Sequence, residues 1–450
     1  MGSGGGVKLH VSSSQREFEK DGDDRDLYYL PPRVLFAALG ADDAWAILPK
    51  DEGVQRYASQ YRRIVGEAVS NSHLPMKYDC IDQGDLYLLD AAICQQIGEV
   101  YEMHRQRFGD RPVRVWPYVN SQEVRQWVQA LRCRGLDVSI AFAGQNRFPH
   151  PQNRGGWGRL WTDRGTPGFA EMYGIPYPQS YVVNDAAEMT QALAEFDGRA
   201  VWAKPVFGSG GYTNMKLRRA RDVAQFYERL IGFGQFRVNG QVMPVEIQAD
   251  LGDMFPNTTG IEFGSLQYLR QRILTPGAFT RQRIDIQGQW YGNDYNVNWG
   301  HGVEEQLYDI WDRFRKGMKD FGGGSFNDIG GIDFAVIDIE DKDPEVVVVE
   351  NNGGRQTGAS PANIMARLMG VEDEAFTAVK IDGADGIEVE QIWNVLVENR
   401  LNLMRGQQFG AIPLVWVDGG QMIFIVGESH EAVQETYDQI QNLVFQRGPR

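Results

Sequence analysis

The chain is poor in cysteine, with only Cys80, Cys94 and Cys133 among 450 residues. Their wide spacing fits neither a zinc site nor a disulfide framework, which points to a reducing compartment, the cytoplasm. Long apolar runs are missing as well. None approaches the roughly 20 residues that a membrane span needs, and the opening stretch has no charged-then-apolar secretory pattern. Positive charge is outnumbered, with 45 Lys and Arg against 60 Asp and Glu and a net charge of −15. That balance argues against a general nucleic-acid binder but leaves room for a local basic cleft that holds phosphates. What is present is ordinary for a globular protein, 42% hydrophobic and 23% charged residues. The length suits two or three domains, each able to bury its own core.

Residues 1–31, MGSGGG followed by a mostly polar, charge-rich tract, read as a disordered leader. From Arg33 the texture becomes α/β. Strand patterns at Val113–Val119 and Leu136–Gly144 flank a helical one, with Val124, Val128 and Leu131 at helical spacing, Ser121 as cap and Gly135 past its end. This βαβ unit predicts a parallel sheet, so residues 32–150 read as an open α/β domain. No Gly-x-Gly-x-x-Gly follows its strands, which speaks against a dinucleotide site. Pro149–Gly158 reads as a linker. Residues 151–375 mix strands with helices, among them Ala186–Phe196, Arg221–Ile231, Val303–Phe321 and Pro361–Met369, and Tyr291–His301 reads as a polar, aromatic loop. Residues 376–450 form a small unit that closes strand–turn–strand–helix, with Val433, Tyr437, Ile440 and Val444 on one face of the last helix. The fold class is α/β (α+β).

Chemistry concentrates in two places. The stretch Gly330–Gly358 holds two β-branched runs, Ile332–Asp338 and Glu345–Glu350, which predict a β-hairpin. With Ile339–Pro344 as the turn, Asp333 falls opposite Glu350, Asn352 shares their face, and Ala335, Ile337, Val346 and Val348 lie beneath them. Opposed carboxylates repel unless a cation sits between them, and two carboxylates with an amide oxygen suit Mg²⁺. Taken alone, the pair fits solvated strand ends equally well.

The second place is Lys204, on a strand and four residues before Gly208, Ser209, Gly210 and Gly211. A glycine turn lets backbone N–H groups approach an anion, and a strand-borne lysine adds a fixed charge beside it. The order differs from a P-loop, where lysine follows the glycines. An incidental lysine beside a hairpin turn is the alternative. In conjunction the two places describe an ATP site, one supplying phosphate grip and the other the metal that bridges phosphates.

Here the sequence resembles the ATP-grasp superfamily. The resemblance rests on DRG at 163–165, AKPVFGSGG at 203–211, VEIQ at 245–248, GIDF at 331–334 and ENNGGRQTG at 350–358. It implies that Lys204 holds the α/β-phosphates, that Gly208–Gly211 closes over the triphosphate, that Arg164 contacts nucleotide, and that Glu246 and Ile247 lie at the adenine hinge. It further implies that Asp333, Glu350 and Asn352 bind Mg²⁺. The ribose acid stays open between Asp250 and Glu262, because residues 249–265 read as a long polar loop after the hinge. The flanks resemble the branch with a pre-ATP-grasp domain (32–150) before the ATP-grasp domain (151–375) and a small C-terminal domain (376–450) after it. That branch includes pheganomycin-type peptide ligases and butirosin-type ligases that load an amino acid onto a carrier protein.

The expected function is ATP-dependent ligation of a carboxylate to an amine through an acyl phosphate, in natural-product or peptide biosynthesis. The alternatives are loading of a carrier-protein thiol and a non-catalytic nucleotide-binding protein. Arg283 and Arg355 are expected to orient the acyl donor bidentately, with Arg281 nearby, and His301 to accept the amine's proton. The expected cofactors are ATP and Mg²⁺. The expected partners are an amino acid or peptide, an amine and a possible carrier protein, with a possible homodimer and neither nucleic acid nor membrane.

Overall fold

The computed structural model describes residues 7–11, 44–49, 52–69, 78–81, 99, 102, 106, 113–117, 122–140, 154–206, 214–232, 237–238, 241–242, 244–269, 272–273, 279–285, 290–322, 329–353, 359–381, 387–417 and 420–447. Among them no helix is long and apolar enough to cross a membrane.

The N-terminal part is a five-stranded parallel sheet, ordered β3-β2-β1-β4-β5, of β1 (Val7–Val11), β2 (Ala44–Pro49), β3 (Tyr78–Ile81), β4 (Val113–Pro117) and β5 (Val138–Ile140). Helices α1 (Glu52–Ala68) and α2 (Gln122–Cys133) belong to the same region. Val113 pairs in parallel with Val138 across the βαβ unit. The central strand corrects the leader expectation. Val7–Val11 is the middle of the sheet, paired to β2 and β4. Its VKLHV sequence carries strand-favouring residues that the polar tract behind it masks.

A second sheet, ordered β6-β7-β12-β8-β9, contains β6 (Arg159–Leu160), β7 (Ser180–Val183), β8 (Val201–Pro205), β9 (Met215–Leu217) and β12 (Val245–Ala249); a separate ribbon pairs β10 (Arg237–Val238) with β11 (Gln241–Val242). Helix α3 (Phe169–Tyr173) lies between β6 and β7 in the chain. Helices α4 (Ala186–Leu193) and α5 (Ala220–Gly232) give Met189, Ala192, Val223, Phe226 and Leu230 to a core shared with Val201, Ala203 and Ile247. Alternation therefore sends the odd residues of β8 and β12 inward and leaves Trp202, Lys204, Glu246 and Gln248 on the other face.

The third sheet has nine strands, ordered β18-β17-β13-β15-β16-β19-β21-β20, with β14 on β13. They are β13 (Thr258–Leu269), β14 (Arg272–Ile273), β15 (Phe279–Ile284), β16 (Trp290–Tyr295), β17 (Ile329–Ile339), β18 (Glu345–Gly353), β19 (Ala375–Lys380), β20 (Gly410–Val417) and β21 (Gly420–Gly427). The segment expected as a polar loop at 249–265 is a short helix, α6 (Leu251–Met254), followed by the long strand β13. Likewise the first part of 291–301 is strand β16, which ends at Tyr295, and His301 opens helix α7 (His301–Gly322).

One face of this sheet packs on α7, where Val303, Leu307, Ile310, Phe314 and Met318 recur at helical spacing against Leu266, Ile332, Phe334, Val336, Val346 and Val348. At the far end, helices α1, α8 (Ala359–Met369), α9 (Val389–Glu398) and α10 (His430–Arg447) share one core with β19, β20 and β21. The 376–450 segment thus extends the large sheet, and α1 from the N-terminal part is built into its core. Arg63 reaches Glu390 at 2.7 Å, and Gln60 reaches Glu388 at 2.9 Å.

Close approach leaves Gly264 no room for a side chain. A Cβ there would overlap the ring of buried Phe334 and stand 2.7 Å from the Thr280 carbonyl oxygen. Gly264→Ala is expected to cost about 2 kcal/mol of stability by overpacking, read by denaturant unfolding. A wild-type midpoint would show that the strand pair is looser than this.

Candidate active site

The site begins with a bulge. The last paired residues of the hairpin are Ile337 and Glu345, and pairing runs regularly to Phe334 opposite Val348. A regular ladder would then set Asp333 against Val349 and put Glu350 on the apolar face with Ile332. Instead Val349 is an extra residue, and Asp333 pairs with Glu350. The bulge therefore brings both carboxylates to one face. It also corrects the expected floor: Val346 and Val348 pack toward α7, whereas Val347 joins Ala335 and Ile337 on the side of the acids, against Leu251.

Asn352 pairs with Gly331 and donates from Nδ2 to Asp333 Oδ2 at 2.7 Å, which leaves its amide oxygen as an acceptor. Glu350 is 9% exposed. Ser265 pairs with Asp333 and Gln267 with Gly331, so both share this face. From there a buried ladder of neutral groups runs across the sheet. Gln267 Nε2 donates to Ser265 Oγ at 2.7 Å, Asn293 Nδ2 to Thr280 Oγ1 at 2.7 Å, and Trp290 Nε1 to Asn293 Oδ1 at 2.6 Å.

The second sheet meets this face at the bulge. The Val349 carbonyl accepts from Lys204 Nζ at 3.4 Å, from Gln248 Nε2 at 3.1 Å and from Tyr177 Oη at 3.5 Å. Lys204 also donates to Gln248 Oε1 at 2.7 Å. Tyr177 donates to Glu246 Oε1 at 2.9 Å, and Glu246 is the cross-strand partner of Lys204. Lys204, Glu246 and Gln248 are all buried. A buried lysine is uncommon without partners, and here its ammonium is held one residue from Glu350.

Other predicted residues lie elsewhere. Thr280 is on the face of Asp333, so Arg281 and Arg283 project from the opposite one. Arg283 pairs with Asp294 at 2.8 Å and Gln434 at 2.6 Å, over the Tyr437 ring. Arg281 pairs with Glu262 at 2.9 Å and stacks on Trp299. His301 stands at the start of α7, on that same opposite side, with its side chain 88% exposed and Glu305 3.1 Å away. Arg283, expected to orient the acyl donor, and His301, expected to accept the amine's proton, thus stand on the face opposite Asp333 and Glu350. Arg164 lies over the Trp161 ring at 3.8 Å and 3.3 Å from Glu195. Ile247 is fully buried in the core, and its strand is paired on both sides, so neither side chain nor strand edge is open for a hinge contact. Of the two candidate ribose acids, Glu262 shares a face with Val336, toward α7. Asp250 instead accepts from Trp202 Nε1 at 2.8 Å, caps α6 and lies 2.9 Å from Lys216. Gly208, Ser209, Gly210, Gly211 and Arg355 lie outside the described residues.

Gln248, Tyr177, Ser265 and the Val349 carbonyl were not singled out from sequence. Only Gln248 carried a signal, two residues after Glu246 and hence on its face.

No protein-family model matches the chain, and no curated protein matches it. Solved structures do. An N5-carboxyaminoimidazole ribonucleotide synthetase in complex with ADP matches 99% of this chain and 98% of its own at TM-score 0.55 and 11% identity. The biotin carboxylase of Campylobacter jejuni, in a β,γ-ATP complex, matches 98% and 96% at TM-score 0.55 and 11% identity. The biotin carboxylase domain of the Hydrogenobacter thermophilus 2-oxoglutarate carboxylase, with MgADP and bicarbonate, matches 94% and 86% at TM-score 0.51 and 12% identity. Identities this low speak for the fold alone, and the chain shares that fold with these structures along nearly its whole length.

Proposed function

We propose that this chain is an ADP-forming ATP-grasp ligase that joins a carboxylate to an amine. One observation carries the reading: the Val349 bulge holds the buried Lys204 beside the strand on which Glu350 faces Asp333. Among the described residues no cluster of three or more His, Cys, Asp or Glu side chains is assembled. The donor set is two carboxylates with an amide oxygen. That suits Mg²⁺, which takes few protein oxygens and completes its shell with water and phosphate. Asp333, Glu350 and Asn352 would hold it, and when bound it would neutralise charge on the phosphates.

Lys204 then holds the polyphosphate, and the neutral ladder from Ser265 to Asn293 forms the floor beside the acids. A carboxylate is a poor electrophile because its oxygen leaves badly. Phosphorylated by ATP, it becomes an acyl phosphate and ADP is released. An amine attacking the carbonyl carbon expels inorganic phosphate and leaves the amide. On this reading the acid is an amino acid or peptide. A carrier-bound thiol is the alternative acceptor.

Incubation with Mg·ATP, a pool of amino acids and dipeptides, and a pool of amines is expected to give equal ADP and phosphate that depend on both pools. AMP and pyrophosphate would contradict the acyl-phosphate route. Lys204→Ala is expected to raise the KM for ATP at least about tenfold, because a charge-assisted contact to phosphate is lost. An unchanged KM would remove the lysine from the site.

A further inference from the structure

We propose that Gln248 is a positioning residue for Lys204, gauging its ammonium against the strand that carries Glu350. This rests on the reading of Lys204 as the phosphate-holding cation. Gln248 is 3% exposed and shares the face of Lys204. Its side chain works as an adaptor with two ends. Oε1 accepts from Lys204 Nζ at 2.7 Å, and Nε2 donates to the Val349 carbonyl at 3.1 Å.

The carboxamide is specified by those two partners. An ammonium offers only N–H, and a carbonyl offers only lone pairs, so the residue between them must accept on one side and donate on the other. Glutamate would present an acceptor to both and set a carboxylate oxygen against the Val349 carbonyl. Leucine would satisfy neither. Neutrality matters as well, because glutamine fixes the ammonium without cancelling the charge that an anion needs.

The partner at the far end is not arbitrary. Val349 is the bulge residue, and the residue after it, Glu350, returns to the ladder opposite Asp333. Gln248 therefore ties a charge on one sheet to an acid on the other through a single amide. A lysine stem is flexible, and a buried stop removes rotamers that would place the ammonium elsewhere.

The test is calorimetric binding of MgADP, and of adenosine as a phosphate-free probe, to the full chain. The variants are Gln248→Leu, Gln248→Glu, Lys204→Ala, and Gln248→Leu combined with Lys204→Ala. Each Gln248 substitution is expected to weaken MgADP about tenfold and to leave adenosine within about twofold. On top of Lys204→Ala, Gln248→Leu should add less than about twofold, since residues acting through one contact are not additive. A merely structural role would lower both ligands and persist without the lysine. Unchanged MgADP affinity in a folded Gln248 variant, equal losses for both ligands, or a full tenfold loss in the Lys204→Ala background overturns the proposal. A wild-type chain that binds no MgADP removes the functional reading itself, and the positioning role with it.

Discussion

Replacing Glu350 with alanine is expected to lower ADP formation at least about 10³-fold while leaving the fold intact, by analogy with the loss of one preorganised electrostatic group from a reaction centre. Glu350 is one of the two carboxylates opposed at Asp333, and among the described residues no third acid clusters with them. Glu350→Gln keeps the shape and an oxygen but not the charge, and should fall between wild type and alanine. In the presence of MgADP wild type should gain thermal stability by ligand linkage, and the alanine variant should gain little. The measurements are an ADP-release assay and melting curves with and without MgADP. Wild-type turnover in Glu350→Ala would show that the carboxylates hold no catalytic metal, and the proposed function would go with them.

The acid pair was legible in the sequence, and the route by which it forms was not. A six-residue turn and a regular ladder give the correct Asp333–Glu350 pairing. The structure reaches it with a pairing shifted by one at Ile337–Glu345 and an extra residue at Val349, so two offsets cancel. Nothing in a run of four valines marks where a bulge will fall, because alternation is uninformative when both faces are apolar. The expected floor of Val346 and Val348 failed for that reason. Arg283 and His301 show a different limit. Their chemistry suits an acyl donor and a proton, but the side of the sheet they occupy depends on registers carried across three strands. Gln248 is legible only once Lys204 and the bulge are placed together. The joining of residues 376–450 to the large sheet, and of α1 to its core, is likewise tertiary. Tyr61, Ile64 and Val65 read as an ordinary amphipathic stripe, and nothing local names β19, β20 and β21 as their partner.

Arg283→Ala is the sharpest test of where the arginines act, since the two assignments predict opposite phenotypes. In the structure its side chain is 9% exposed and that of Asp294 12%. The guanidinium joins Asp294 on β16 to Gln434 on α10, over the ring of Tyr437, whose hydroxyl donates to the Lys380 carbonyl at 3.1 Å. Truncation leaves Asp294 buried without its cation, a change that costs about 3–5 kcal/mol in proteins generally. The loss should be local first. Amide exchange should accelerate along His430–Arg447, because the helix keeps its apolar contacts at Val433, Ile440 and Val444 but loses its polar anchor. Removing both charges, as Arg283→Leu with Asp294→Leu, should restore much of the stability, because an apolar pair of similar volume avoids the desolvation cost. Turnover per folded molecule should stay within about threefold of wild type in the double variant, since neither side chain faces Asp333. A fully stable Arg283→Ala that loses its acyl donor, read as a raised KM for the acid alone, would return the residue to the reaction and put the substrate on the far side of the sheet.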